Sequence, residues 1–194
     1  MGTNINYGMI GCGMMGQEHL RNIALLEDTA VLGIVEPDPA MQAQASKLAP
    51  DATFHDSIES LLTDERLDCL VIVSPNFYHA DQLLEIASRR ALPILVEKPL
   101  FTKVSDIIKL KEFEKKYPAP VWVAMEYRYM PAVAALIENA QNDTGGIDML
   151  SIREHRFPFL PKIGDWNRFN ANTGGTMVEK CCHFFDLIDR KSVV

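Results

Sequence analysis

The chain has 194 residues, 47% of them hydrophobic, which supports one domain-sized core and a small partial second one. Its formal net charge of −7 arises from interspersed acidic and basic residues with no basic stripe, so a nucleic-acid partner is not expected. No apolar run approaches the roughly eighteen residues of a membrane span, and the start MGTNINYGMIGCG lacks the charged and apolar regions of a secretory signal, so no membrane partner is expected. Cys12, Cys69, Cys181 and Cys182 are too few and too irregularly spaced for a disulfide framework, and no CxxC spacing suggests zinc. A soluble, cytoplasmic protein without a bound metal is the expectation. The adjacent pair Cys181 and Cys182 reads as small buried hydrophobes, with redox chemistry as the other reading.

The predicted elements alternate. A strand in INYGMIGCG leads to a helix reaching Leu26, and VLGIVEPD to a helix over Ala40 to Leu48. CLVIVSP precedes a helix over Tyr78 to Arg90, and PILVEKP a helix over Val104 to Lys116. PAPVWVAMEYRYM reads as the last strand. This βαβα rhythm, with central strands that are continuous apolar runs, predicts an α/β fold: a doubly wound parallel sheet covered on both faces. Beyond it come a short helix over Ala132 to Ala140, a turn at 143–146, a strand over 147–157, a loop over 158–175 and a helix from Thr176 to about Asp189. One strand and two helices cannot make a second core alone. The predicted organisation is therefore a Rossmann domain over residues 1–127 and a partial α+β domain over 128–194.

Gly11-Cys12-Gly13-Met14-Met15-Gly16 is a GxGxxG element placed between a strand and a helix. Glu36 stands twenty residues beyond Gly16 at the end of the second strand, where a ribose-binding acid is expected. Gly11 makes the tight turn, Gly13 admits the pyrophosphate, and Gly16 lets helix and strand pack closely. The helix amino terminus, with Met14 and Met15 in its first turn, offers free N–H groups and a positive dipole end. Glu36 accepts ribose hydroxyls and repels a 2′-phosphate, and neither Pro37 nor Asp38 supplies an arginine to welcome one. NAD is expected in preference to NADP.

Two further motifs follow strands, Ser74-Pro75-Asn76-Phe77-Tyr78-His79 and Glu97-Lys98-Pro99, and a third, Gly174-Gly175…His183-Phe184-Phe185-Asp186, lies near the end. With the glycine element, these resemble the Gfo/Idh/MocA oxidoreductase family over essentially the whole chain. The resemblance implies hydride transfer between the nicotinamide and a secondary alcohol of a sugar, polyol or cyclitol. It implies Lys98 and His183 as catalytic residues, His183 taking the hydroxyl proton and Lys98 stabilising developing alkoxide charge. Glu179 stands where the family carries an aspartate. Four residues before His183 on one predicted helix, it shares a face with the histidine and can orient it, with Lys180, three residues before, as the other candidate and a solvated charged face as the plain reading of both. Lys98 as a solvated loop lysine, and His183 as a core histidine among Phe184, Phe185, Leu187 and Ile188, are the bland alternatives.

The resemblance also places Ser74, Asn76, His79, Glu97 and Lys98 itself on the cofactor side, although an N-cap role suffices for Asn76. Arg128 matches a position near the mouth of the family's site, or is a surface residue at a hinge. Trp166 and Arg168 are candidate substrate contacts, while His19, His55 and His155 show no partner spacing. Family members are longer and homo-oligomeric, and Lys191-Ser192-Val193-Val194 does not resemble their continuation. A shortened form is expected, either a working dehydrogenase or a catalytically silent NAD-binding remnant.

Overall fold

The structure, a computed structural model, describes residues 4–146, 149–155 and 160–192. The chain forms two compact units, Met1–Ala124 and Met125–Val194.

The first unit is a six-stranded sheet in the order β3-β2-β1-β4-β5-β6. Its strands are β1 (Ile5–Ile10), β2 (Thr29–Val35), β3 (Thr53–His55), β4 (Cys69–Ile72), β5 (Ile94–Val96) and β6 (Val121–Val123). All pair in parallel. Its helices are α1 (Met14–Ile23), α2 (Pro39–Leu48), α3 (Ile58–Leu62), α4 (His79–Ala87) and α5 (Asp106–Lys116). Side chains alternate across the two central strands and so build two cores. Ile10, Leu70 and Ile72 pack with Ile58, Leu61, Leu83, Ile86 and Leu110 beneath α3, α4 and α5. Met9, Val71 and Val73 pack with Leu20, Ile23 and Ala45 beneath α1 and α2. Each wholly buried leucine or isoleucine here contributes about 1.5–3 kcal/mol of transfer free energy. With neither face wet, the central strands lack the polar alternation of a half-exposed sheet.

Local chemistry sets the ends of the helices. Asp38 accepts the Met41 N–H at 2.9 Å and Pro39 occupies the first turn of α2. Ser57 and Ser60 cap α3 reciprocally. The β3 and α3 segments, only three and five residues long, are too short to show a periodicity in the sequence. The sheet order reverses between β1 and β4, and the loops leaving those two strands open side by side, where an open α/β sheet receives its ligand.

The second unit contains α6 (Pro131–Thr144), α7 (Asn170–Thr173), α8 (Thr176–Glu179) and α9 (Cys182–Ser192), with short 3-10 segments at Glu126–Tyr129 and Ile163–Arg168. The strand expected over 147–157 is corrected. Residues 149–155 are irregular, and 147, 148, 156 and 157 lie outside the described residues. A lone strand needs a partner for its ladder, and the described residues of this unit offer none. The single helix expected from Thr176 is also corrected, being two. The N–H groups of Lys180 and Cys181 both turn back to the Thr176 carbonyl, which ends α8 before α9 begins. Gly174 and Gly175, at φ 76° and 81°, make the left-handed turn between α7 and α8.

Candidate functional site

In the first unit, the glycine turn has the shape that anion binding requires. Gly11 lies at φ 91°, and a Cβ there would meet the Ser74 backbone at 2.7 Å. A Cβ on Gly16 would meet the Gly11 carbonyl oxygen at 2.6 Å, so α1 packs on its own entry turn. Around Gly13 a Cβ would meet nothing within 4 Å, which leaves that side of the turn open. No side chain caps α1, and Met14 and Met15 of its first turn are exposed, so its leading amides face the opening.

Glu36, at the end of β2, is buried against this turn. One carboxylate oxygen accepts the Cys12 N–H at 2.6 Å and the other the Asp38 N–H at 2.9 Å. The Gln42 amide holds the Glu36 carbonyl at 2.6 Å. Burial, and then the Glu36 carboxylate, push the Cys12 thiol up to about 12.

On the other side of the switch point, Ser74 donates to Gln82 at 2.6 Å. Asn76 opens a 3-10 turn over Asn76–Tyr78 and makes no side-chain cap, which corrects the N-cap expectation. It is buried, and its Nδ2 has no hydrogen-bond partner among the described residues. His79 is wholly buried. Its Nδ1 stands 2.8 Å from the Pro99 carbonyl and its Nε2 2.9 Å from that of Ser74, so the ring bridges the two loops that flank the opening. Burial pushes its pKa below the usual imidazole value, against the pull of both carbonyls.

Glu97, also buried, stands 2.9 Å from His19 Nε2 through one oxygen and accepts the Lys98 N–H at 3.2 Å through the other. Burial opposes its charge, but the hydrogen bond and charge of His19, with Lys98 beside it, hold its pKa below the usual carboxylate value. No spacing marks His19, because its partner lies 78 residues away.

In the second unit, His183 is buried and stacks on Tyr127, with ring centroids 4.1 Å apart and planes 5° from parallel. Its Nε2 faces Glu126 Oε1 at 3.4 Å. Glu179 closes α8 while His183 belongs to α9, so the two do not share the helix face expected of them, and Glu126 is a carboxylate that stands at Nε2. Lys180 is buried beside Tyr127, donating to its hydroxyl and pairing with Glu154 at 2.9 Å. Arg128 donates to both oxygens of Asp186, so its fork is engaged within this unit. Arg168 is exposed and Trp166 half-buried on the 3-10 segment, where buried Asn167 keeps an Oδ1 without a hydrogen-bond partner among the described residues. No group of three or more His, Cys, Asp or Glu among the described residues is placed to hold a metal, and no described helix is long and apolar enough to cross a membrane.

Residues 5–125 match the Gfo/Idh/MocA family model, described as an oxidoreductase family with an NAD-binding Rossmann fold. Inositol 2-dehydrogenase from Corynebacterium glutamicum strain R is 29% identical over 191 residues, covering 97% of this chain and 54% of that protein. The rhizopine catabolism protein MocA of Rhizobium meliloti is 24% identical over 184 residues, covering 95% of this chain and 56% of its own. Among solved structures, myo-inositol 2-dehydrogenase from Lactobacillus plantarum shares the fold with a TM-score of 0.79 at 20% identity, over 97% of this chain and 56% of that one. The WlbA dehydrogenase from Thermus thermophilus, solved with NAD and UDP-GlcNAcA, gives 0.72 at 23% identity, over 96% and 62%. The chain spans about half the length of the curated relatives it matches. Matched from β1 to the end of the sheet, with the glycine turn and the Ser74 and Lys98 loops inside the matched span, the chain belongs to the NAD-binding Gfo/Idh/MocA oxidoreductase family.

Proposed function

We propose that the protein transfers a hydride between NAD and a secondary alcohol of a sugar, polyol or cyclitol. The observation that carries this reading is the open side of the turn at Gly13, with a buried acid, Glu36, braced against it. The residues fit a dinucleotide. The uncapped α1 terminus suits a pyrophosphate, and Asn76 Nδ2 is a buried donor waiting for an acceptor. Glu36 keeps a lone pair on each oxygen for a ribose hydroxyl, and its charge disfavours NADP. Ser74 and His79 brace the loop that carries Asn76, and Glu97 braces Lys98.

When bound, the nicotinamide supplies the hydride acceptor. Lys98 is the residue read as holding the substrate oxygen and stabilising the negative charge that develops on it. His183 is the residue read as taking the hydroxyl proton, and Glu126 beside it takes the orienting role first read into Glu179. Arg128 acts by fixing Asp186 of α9, and Trp166 and Arg168 are the substrate contacts. The named relatives, inositol 2-dehydrogenase among them, favour this substrate class.

Calorimetric titration with NAD and NADP, followed by NAD-dependent turnover across a panel of sugars and inositols, tests the proposal. Tighter NAD binding with turnover of at least one polyol is expected. NAD binding without turnover on any of them would leave a silent cofactor-binding protein and overturn the catalytic reading.

A further inference from the structure

We propose that His19 is a positioning residue, which through Glu97 ties the helix opening the cofactor site to the backbone of Lys98 and couples cofactor binding to the placement of that lysine. The inference rests on the reading of Lys98 as the group that holds the substrate oxygen. His19 lies on α1, the helix whose first turn faces the opening at Gly13, and its ring reaches across to Glu97 at 2.9 Å. Glu97 spends its two oxygens differently, one on His19 and the other on the amide of Lys98. The carboxylate is buried, so its orientation is set by these two partners rather than by water. The far end of the same short segment is gripped from α4, where His79 meets the Pro99 carbonyl at 2.8 Å. Lys98 therefore hangs between two histidine contacts, one of which comes from α1, the helix that leaves the glycine turn. A helix moves as a rod, so a ligand seated on the first turn of α1 acts on His19 one and a half turns further along, and through Glu97 on Lys98.

The coupling is read from the backbone amide resonance of Lys98 in protein labelled with nitrogen-15 lysine, assigned with a Lys98→Arg variant and followed as NAD is added. In wild-type protein the resonance shifts with NAD. In His19→Leu the NAD-induced shift of Lys98 is expected to collapse, with NAD binding weakened by about fivefold because coupling is reciprocal. His19→Gln still presents a donor to Glu97 and is expected to retain the response. His19→Asn, polar but too short to reach Glu97, gives the same reading as the leucine variant if that one does not fold. An unchanged Lys98 response in both His19→Leu and His19→Asn overturns the inference while leaving the cofactor reading intact. Wild-type protein that shows no NAD binding overturns both.

Discussion

The carboxylate of Glu36 accepts the backbone N–H of Cys12 at 2.6 Å, which ties the acid at the end of β2 into the glycine turn. The side chain expected to select the cofactor thus also holds the turn together. Glu36→Ala should therefore do two things at once. It leaves the Cys12 and Asp38 amides without their acceptor, costing about 1–3 kcal/mol of stability. It also removes the charge that repels a 2′-phosphate, so the preference for NAD over NADP should shrink. Urea unfolding and paired calorimetric titrations measure the two effects separately, and an unaltered cofactor preference would remove Glu36 from ribose selection.

Lys98→Ala and His183→Ala should each lower kcat by about two orders of magnitude or more while NAD binding persists, because each removes transition-state stabilisation rather than cofactor contact. Stopped-flow measurement of hydride transfer, with NAD affinity as the control, decides this. Wild-type rates in either variant would sink the assignment.

The two carboxylates considered for orienting His183 lie on different elements. Glu126 faces Nε2 at 3.4 Å, whereas Glu179 closes a different helix. Glu126→Gln should reduce kcat by about tenfold, with KM little changed, since it orients the base and does not bind substrate. Glu179→Gln should stay within about twofold of wild type. The reverse order would restore Glu179 to the role its spacing suggested.

The difference between these glutamates shows where the sequence was legible. The strand ends carrying Gly11, Ser74 and Lys98 follow from apolar runs and turn chemistry, which are local signals, and the sheet that assembles them has few alternatives. The break after Glu179 was not legible, because Glu179-Lys180-Cys181-Cys182-His183 contains no glycine or proline. The break comes instead from the Lys180 and Cys181 amides both turning back to Thr176. His19 with Glu97, and Tyr127 with His183, were hidden for another reason. Each pair is joined only by the tertiary fold, so no periodicity or spacing marks it.

Thiol labelling gives a direct check on burial. Burial and the Glu36 carboxylate push Cys12 up to about 12, and burial with Asp68 pushes Cys69 up to about 11. Both remain thiols at pH 8 and should resist iodoacetamide, since only the thiolate is a good nucleophile. Cys181 and Cys182 are partly exposed and should carry the label first. Mass spectrometry of the digested product reads the order, and early labelling of Cys12 would show that the glycine turn opens in solution.

His79 makes the first unit sensitive to mild acid. Its ring is wholly buried between the carbonyls of Ser74 and Pro99, with Glu97 and Lys98 nearby, and burial holds its folded pKa below the usual imidazole value of 6.5. A group whose folded pKa is depressed binds more protons in the unfolded chain, so its stabilising contribution is present above pH 6.5 and is lost as the pH falls toward the folded value. The loss amounts to at most about 1.4 kcal/mol for each pH unit in that window. Glu97 is depressed from 4.5, so its own contribution is lost only below that pH, outside the span between pH 7.5 and 5.5. Urea midpoints measured at pH 7.5 and at 5.5 should therefore fall together with pH in the wild-type protein. In His79→Gln, whose side chain cannot take up the proton, the starting stability should be lower and the drop between the two pH values smaller. Equal drops in the two proteins would mean that the buried ring does not titrate on unfolding, and would leave His79 as a purely mechanical clasp between the two loops.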